Sequence, residues 1–414
     1  MTDTCQRTRT TGEAMTEPRA STHNHDVSFS LVHGGPPYHL QQTLGLIPRR
    51  GLGVPRRIIF FMLLTWAPIM GWALVHEHLS AAAVSEPLFQ HMGVYVRCLL
   101  AIPLLIAAEA VAEAISRRLF PHFVASGLVT DVTKPRFVEI LRRAARLRDS
   151  WAAAAIMVAL AVLLAWRFTG VGEAVHDDAL SWAVSREADL PRLGFGGWWF
   201  LFVVRPVFTF FLLQWVWRLC LASVVFWRIT HLELQLVPTH PDRAGGLGFL
   251  ERMPVAFSLV VLAISAVVAS HWAHQILYHG AHVTAFTLPL ALLVATMLVI
   301  FLGPLLLFAP PLGQLKRRSL LEYGALVGEH GRLVRQRWIL GQPVEDRGLL
   351  EAPELGPVTD TVSMYEAVER LRPVPLGKQS LVAVVAPALL PMIPVMPIEV
   401  PLKEALLKLL KALM

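Results

Sequence analysis

Six apolar runs, set apart by polar stretches, give the chain its pattern: Ile58–Val75, Met92–Ser116, Trp151–Phe168, Trp198–Trp217, Pro254–Leu277 and Phe286–Phe308. At about 1.5 Å of rise per residue, a helix of each run can cross a hydrocarbon core of about 30 Å. Backbone polar groups in hydrocarbon must be satisfied within the chain, so the runs are expected as helices. The expected fold is all-α, a polytopic membrane helix bundle of about six transmembrane helices with interfacial amphipathic helices. The fourth run passes without a helix breaker through Arg218–Val237 and ends in the motif Pro238–Phe249.

The stretches between the runs sort by charge. Arg49, Arg50, Arg56 and Arg57 precede the first run, Arg117 and Arg118 follow the second, and Lys316, Arg317 and Arg318 follow the sixth. Loop 76–91 has no Lys or Arg, loop 169–195 is acidic on balance, and loop 278–285 has no charge. Basic flanks face the cytoplasm. The pattern therefore predicts six crossings with both termini inside.

Other segments read less sharply. Residues 1–50 are polar and lack an apolar signal-peptide core, and read as a disordered tail. Pro135–Arg148 places Phe137, Ile140, Leu141, Ala144 and Leu147 at helical spacing. It reads as a helix lying on the inner leaflet with arginines among the headgroups. The chain divides into the tail (1–50), the bundle (51–315), a cytoplasmic helical region (316–379) and a membrane-associated end (380–414). That end carries Pro387, Pro391, Pro394 and Pro397, and reads as a re-entrant or surface segment followed by an amphipathic helix over Leu402–Leu413.

Composition agrees: 55% of the 414 residues are hydrophobic, 16% are charged, and the net charge is +7. The basic residues flank apolar runs, which suits anionic lipid headgroups rather than nucleic acid. The partners expected are the bilayer, those headgroups and, as an option, further copies of the chain. Cys5, Cys98 and Cys220 make neither a disulfide framework nor a cysteine metal site.

Four constellations are candidates for function. The first is the motif itself. Gly245, Gly246 and Gly248 permit a turn whose N–H groups form an anion nest, with His240 and Asp242 as a base pair or metal ligands. The structural alternative is a rigid turn capped by Asp242. The motif Pro238–Phe249, with the ending Ile398–Glu404, resembles a family of bacterial multi-pass inner-membrane proteins. That resemblance implies the membrane location and carries no activity and no functional residues.

The second candidate is Arg97, Arg167 and Arg205, from three runs and expected near the outer surface. They would line a positive vestibule or else snorkel to headgroups. The third is the histidines: His271 and His274 share a helix face, and with His76 and His78 would ligate a metal or haem. No fixed ligand spacing supports this, so no cofactor is expected. The fourth is Glu109 and Glu113, four apart in the second run, with Arg218 as a counter-charge. They form either a proton relay or a structural ion pair. These features favour a transporter or channel-like protein for a small, anionic solute over a metal- or haem-binding redox protein or a non-catalytic assembly factor. No motif specific to an enzyme class is present.

Overall fold

The structure is a computed structural model and describes residues 29–48, 51–76, 87–167, 180–185, 192–344 and 358–396. We number the principal helices α1 Pro36–Thr43, α2 Val54–Val75, α3 Met92–Ala125, α4 Lys134–Arg148, α5 Trp151–Arg167, α6 Phe195–Thr230, α7 Gly248–His279, α8 Val283–Leu306, α9 Ala309–Val334, α10 Val358–Glu369 and α11 Lys378–Leu389. Among the described residues the architecture is all-helical apart from a minimal antiparallel pairing of Val184–Ser185 with Arg192–Leu193. Among the described residues, five helices, α2, α3, α6, α7 and α8, are long and apolar enough to cross a membrane. The count is six if α4 and α5, bent by 45°, form one span.

Several starts and stops follow from single residues. Pro55, Pro135 and Pro310 stand in the first turns of α2, α4 and α9, where the missing N–H costs nothing. Gly280, at φ 66°, ends α7 in the left-handed region. Among the described residues a π turn, Arg335–Ile339, extends α9, and two of the apolar helices contain π turns, Val96–Ala101 in α3 and Phe200–Val204 in α6. Each of the latter two precedes a proline by two residues, Pro103 and Pro206. A proline removes one backbone N–H from the ladder and crowds the turn before it, and widening that turn relieves both.

The main core joins α3, α6 and α7, with Phe120, Phe123, Phe211, Phe226, Phe257 and Phe308 all buried. A second core, at the end of the bundle that carries His76 and His279, gathers Ile69, Cys98, Trp182 and Phe200. The opposite end carries Pro238–Phe249.

Three expectations need correction. Residues 29–48 are part of the fold rather than a disordered tail. Phe29, Leu31 and Val32 are buried in the main core, and the Phe29 ring meets Phe120 edge-on at 5.0 Å. The helix α4 does not lay its apolar face on lipid. Phe137, Leu141 and Ala144 are buried in the protein core, and Phe137 lies 5.6 Å from Phe123 ring to ring. The fifth run begins earlier than Pro254, because a tight helical stretch over Gly248–Phe257 leads directly into α7.

In the region after residue 316, α9 pairs with α10, and Lys316 Nζ donates to the carbonyls of Glu369 and Leu371, each at 2.8 Å. The 12-residue α11 buries Ser380, Val384 and Ala388 against α7 and α8, and is too short to cross a bilayer. The stretch Leu402–Leu413 lies outside the described residues.

Candidate functional site

Three charged side chains meet inside the bundle. Arg57 of α2, Glu109 of α3 and Arg218 of α6 are 1%, 2% and 9% exposed. Arg57 Nη1 donates to Glu109 Oε2, and Arg218 Nη2 donates to Glu109 Oε1 at 2.8 Å. Arg57 Nε also donates to Gln41 Oε1 of α1 at 2.6 Å. The Arg218 guanidinium lies over the Trp215 ring, 4.7 Å from its centre. Two positive charges thus face one negative charge away from bulk water. Removing charge from water costs several kcal/mol per ion unless partners answer it, so the surplus guanidinium favours an anion beside it.

A small hollow of about 40 Å³ opens against this cluster, lined by Gln41, Arg57, Glu109, Gln214, Trp217 and Arg218 among others. Gln214, Trp217 and Arg218 fall at offsets of three and four along α6 and so share a face. Gln214 Oε1, Trp217 Nε1 and Arg218 Nη1 are buried there without a hydrogen-bond partner. The Gln214 amide can turn over and present its NH₂ instead of its oxygen. Three donors then belong to residues that line one space. The hollow has room for about three waters, or a group of similar size.

One turn further along α3, Glu113 is answered separately. Ser30 Oγ and Arg117 Nε donate to its two oxygens, and His33 Nδ1 lies 3.0 Å from Oε1. Arg148 Nη1 of α4 donates to the Ser30 carbonyl. Residues 30–41 are thereby tied across the cluster, and Leu31, Val32, Gly34 and Gly35 wall the hollow.

The structure brings together only some of the residues singled out in the sequence. Glu109 and Arg218 are paired, as an ion pair between helices. Arg97 of α3 and Arg205 of α6 both lie against the Phe200 ring, their guanidinium carbons 5.7 and 5.5 Å from its centre. Arg167 ends α5, and its side chain lies outside the described residues.

In the motif, Asp242 accepts the N–H groups of Ala244 at 2.8 Å, Gly246 at 3.2 Å and Gly248 at 2.7 Å. Its own carboxylate occupies the nest that the glycines form. His240 Nδ1 lies 2.9 Å from Asp242 Oδ1. Gly245 and Gly246, at φ 65° and 96°, supply the left-handed backbone. At Gly248, a Cβ would meet the Asp242 side chain at 2.8 Å. Burial pushes the Asp242 carboxyl up, but the three backbone N–H groups and His240 outweigh it and hold it below the ordinary value of 3.8. Arg372 Nη2 donates to the Asp242 carbonyl at 2.9 Å, which ties the turn to the chain after α10.

The histidines do not gather as grouped from sequence. His274 is buried, with Nδ1 3.1 Å from the Gln90 carbonyl, while His271 one turn earlier is exposed. His76 stacks on Trp72, and His78 lies outside the described residues. His274 instead has His91 and His279 as ring neighbours, at 4.9 and 5.3 Å. Among the described residues, no three His, Cys, Asp or Glu side chains are placed to hold a metal ion.

Sequence reasoning missed Arg57, Gln41, Gln214, Trp217, Ser30 and His33 as site residues. Gln214 carried a usable signal, an amide inside an apolar run, whereas Arg57 was hidden among flanking arginines. Comparison with protein-family models, with curated proteins and with solved structures finds no match to this chain.

Proposed function

We propose that this chain is a multi-pass inner-membrane protein that binds a small anion at the Arg57–Glu109–Arg218 cluster and carries it across the bilayer. The reading rests on one observation: a surplus buried guanidinium whose free Nη1 shares a small hollow with two further unpartnered polar groups, Trp217 Nε1 and the Gln214 amide. An intramembrane charge that is not fully answered marks a solute site more often than a structural one. In this reading the basic flanks place α4 and Pro238–Phe249 at the cytoplasmic face. The cluster then lies toward the cytoplasm, and Arg97 and Arg205, around Phe200, lie toward the outside. Residues 29–41 cover the cluster from the cytoplasmic side and must shift for the anion to exchange.

Anion flux into liposomes holding the purified protein tests this. Trp217→Phe removes one unpartnered N–H and leaves the ion pairs in place. A structural role predicts unchanged or slightly higher thermal stability and unchanged flux. An anion site predicts that flux at subsaturating anion falls several-fold, since a hydrogen bond to a charged group contributes about 1.5–3 kcal/mol. Arg205→Gln is expected to slow flux while leaving equilibrium binding at the cluster intact. Equal flux from wild type, both variants and empty liposomes removes the transport reading.

A further inference from the structure

Beside the polar hollow lies a second, much larger one. A groove of about 820 Å³ runs between α1, α2, α5 and α6. Its walls are apolar, with Leu40, Leu44, Phe60, Trp151, Val158 and Phe210 among them. Pro37 and Gln41 line both spaces. Met157 borders the polar hollow and Val158, the next residue of α5, borders the groove. Gln41 is also the side chain that accepts from Arg57. A cationic, donor-rich hollow and a long apolar groove therefore adjoin across one turn of α1.

We propose that this pair of spaces takes one ligand, a long-chain fatty acid, with its carboxylate among Arg218, Trp217 and Gln214 and its hydrocarbon chain in the groove. The inference rests on the anion site proposed above and names its substrate class. Charge complementarity selects an acid, since the cluster holds one unmatched positive charge. Size selects the kind of acid. A hollow with room for about three waters accepts the three heavy atoms of a carboxyl group and excludes the phosphodiester head of a phospholipid. The groove selects a chain over a small free anion, because its apolar walls offer such an anion nothing and pack closely against methylene groups. The exposed Leu40 and Leu44 of α1 then become chain contacts rather than surface liabilities.

The test uses the full chain in phosphatidylcholine nanodiscs, with equilibrium binding of acetate, palmitate and hexadecanol. Palmitate is expected to bind at least tenfold more tightly than either acetate or hexadecanol. Trp217→Phe is expected to weaken both acetate and palmitate. Val158→Trp, which fills the groove at a half-exposed position, is expected to weaken palmitate and leave acetate unchanged. A diazirine-bearing palmitate should crosslink to α1, α5 or α6. Palmitate no tighter than acetate overturns the fatty-acid assignment while the anion site stands. Binding of neither overturns both. Equal binding of palmitate and hexadecanol shows that the groove alone acts, and displacement of palmitate by stoichiometric phosphatidylglycerol shows that the occupant is a membrane phospholipid. Either result overturns the proposal.

Discussion

Glu109 holds two arginines from two other helices, so its charge matters more than its contacts. Glu109→Gln keeps the shape of the side chain but leaves Arg57 and Arg218 facing each other with no counter-charge. Breaking a buried ion pair by removing one partner costs about 3–5 kcal/mol, and here two pairs share the partner. Glu109→Gln is therefore expected to lower the melting temperature in detergent far more than Glu113→Gln. The main charged partner of Glu113, Arg117, has a side chain that is 64% exposed and rehydrates readily. Equal losses for the two variants would contradict the central role given to Glu109. Glu109 and Arg218 were legible in the sequence because a charge within or at the end of an apolar run must be explained. Arg57 was not, because four arginines before the first run read as a topology signal, and nothing marks which of them turns inward. Ser30 and Glu113 are 83 positions apart, a contact that no local pattern announces.

At the scale of elements, the Pro238–Phe249 turn is the clearest case of a local sequence that fixes its own geometry. Its glycines set the backbone and Asp242 closes it with three N–H bonds. Asp242→Asn keeps one oxygen but sets an NH₂ against an N–H, and is expected to cost about 2 kcal/mol of stability. Because the folded carboxyl lies below the ordinary value of 3.8, its contribution is complete above that pH. It fades as the pH falls below that value and the carboxylate is protonated. The stability difference between wild type and Asp242→Asn, followed by thermal unfolding, should therefore shrink as the pH is taken below about 4. A difference that stays constant or grows on acidification would show that the carboxylate is not what the nest holds. The turn and its cap were legible, whereas the π turns of α3 and α6 were not. Pro103 and Pro206 signalled a disturbance in each helix, but not that the turn before each proline would widen rather than kink.

For the whole molecule, five or six apolar helices were plain from run length alone, since hydrophobic content is additive along a helix. The packing of the amphipathic elements was less legible. An apolar stripe such as that of α4 looks the same whether lipid or protein covers it, and only the fold shows that Phe123 does. The charge-based orientation has a direct test. Val132, 87% exposed, lies on the loop before α4, and His279 lies exposed at the end of α7. In a cysteine-free background, His279→Cys should react with a membrane-impermeant thiol reagent in intact cells, and Val132→Cys only after lysis. The reverse pattern would invert the proposed topology.

The three-helix charge cluster also constrains how the chain is made. If the helices insert in the membrane as proposed, Arg57 enters first, Glu109 second and Arg218 last. A lone glutamate in lipid costs at least about 2.5 kcal/mol, but Glu109 arrives with Arg57 already waiting on the preceding helix. The Arg57–Glu109 pair can thus form between the first two helices before the rest of the bundle is made. The second guanidinium of the cluster comes only with α6, which brings it to a carboxylate that Arg57 already holds. The order of the three residues along the chain is in effect an assembly order, in which the second arginine of the cluster is installed last.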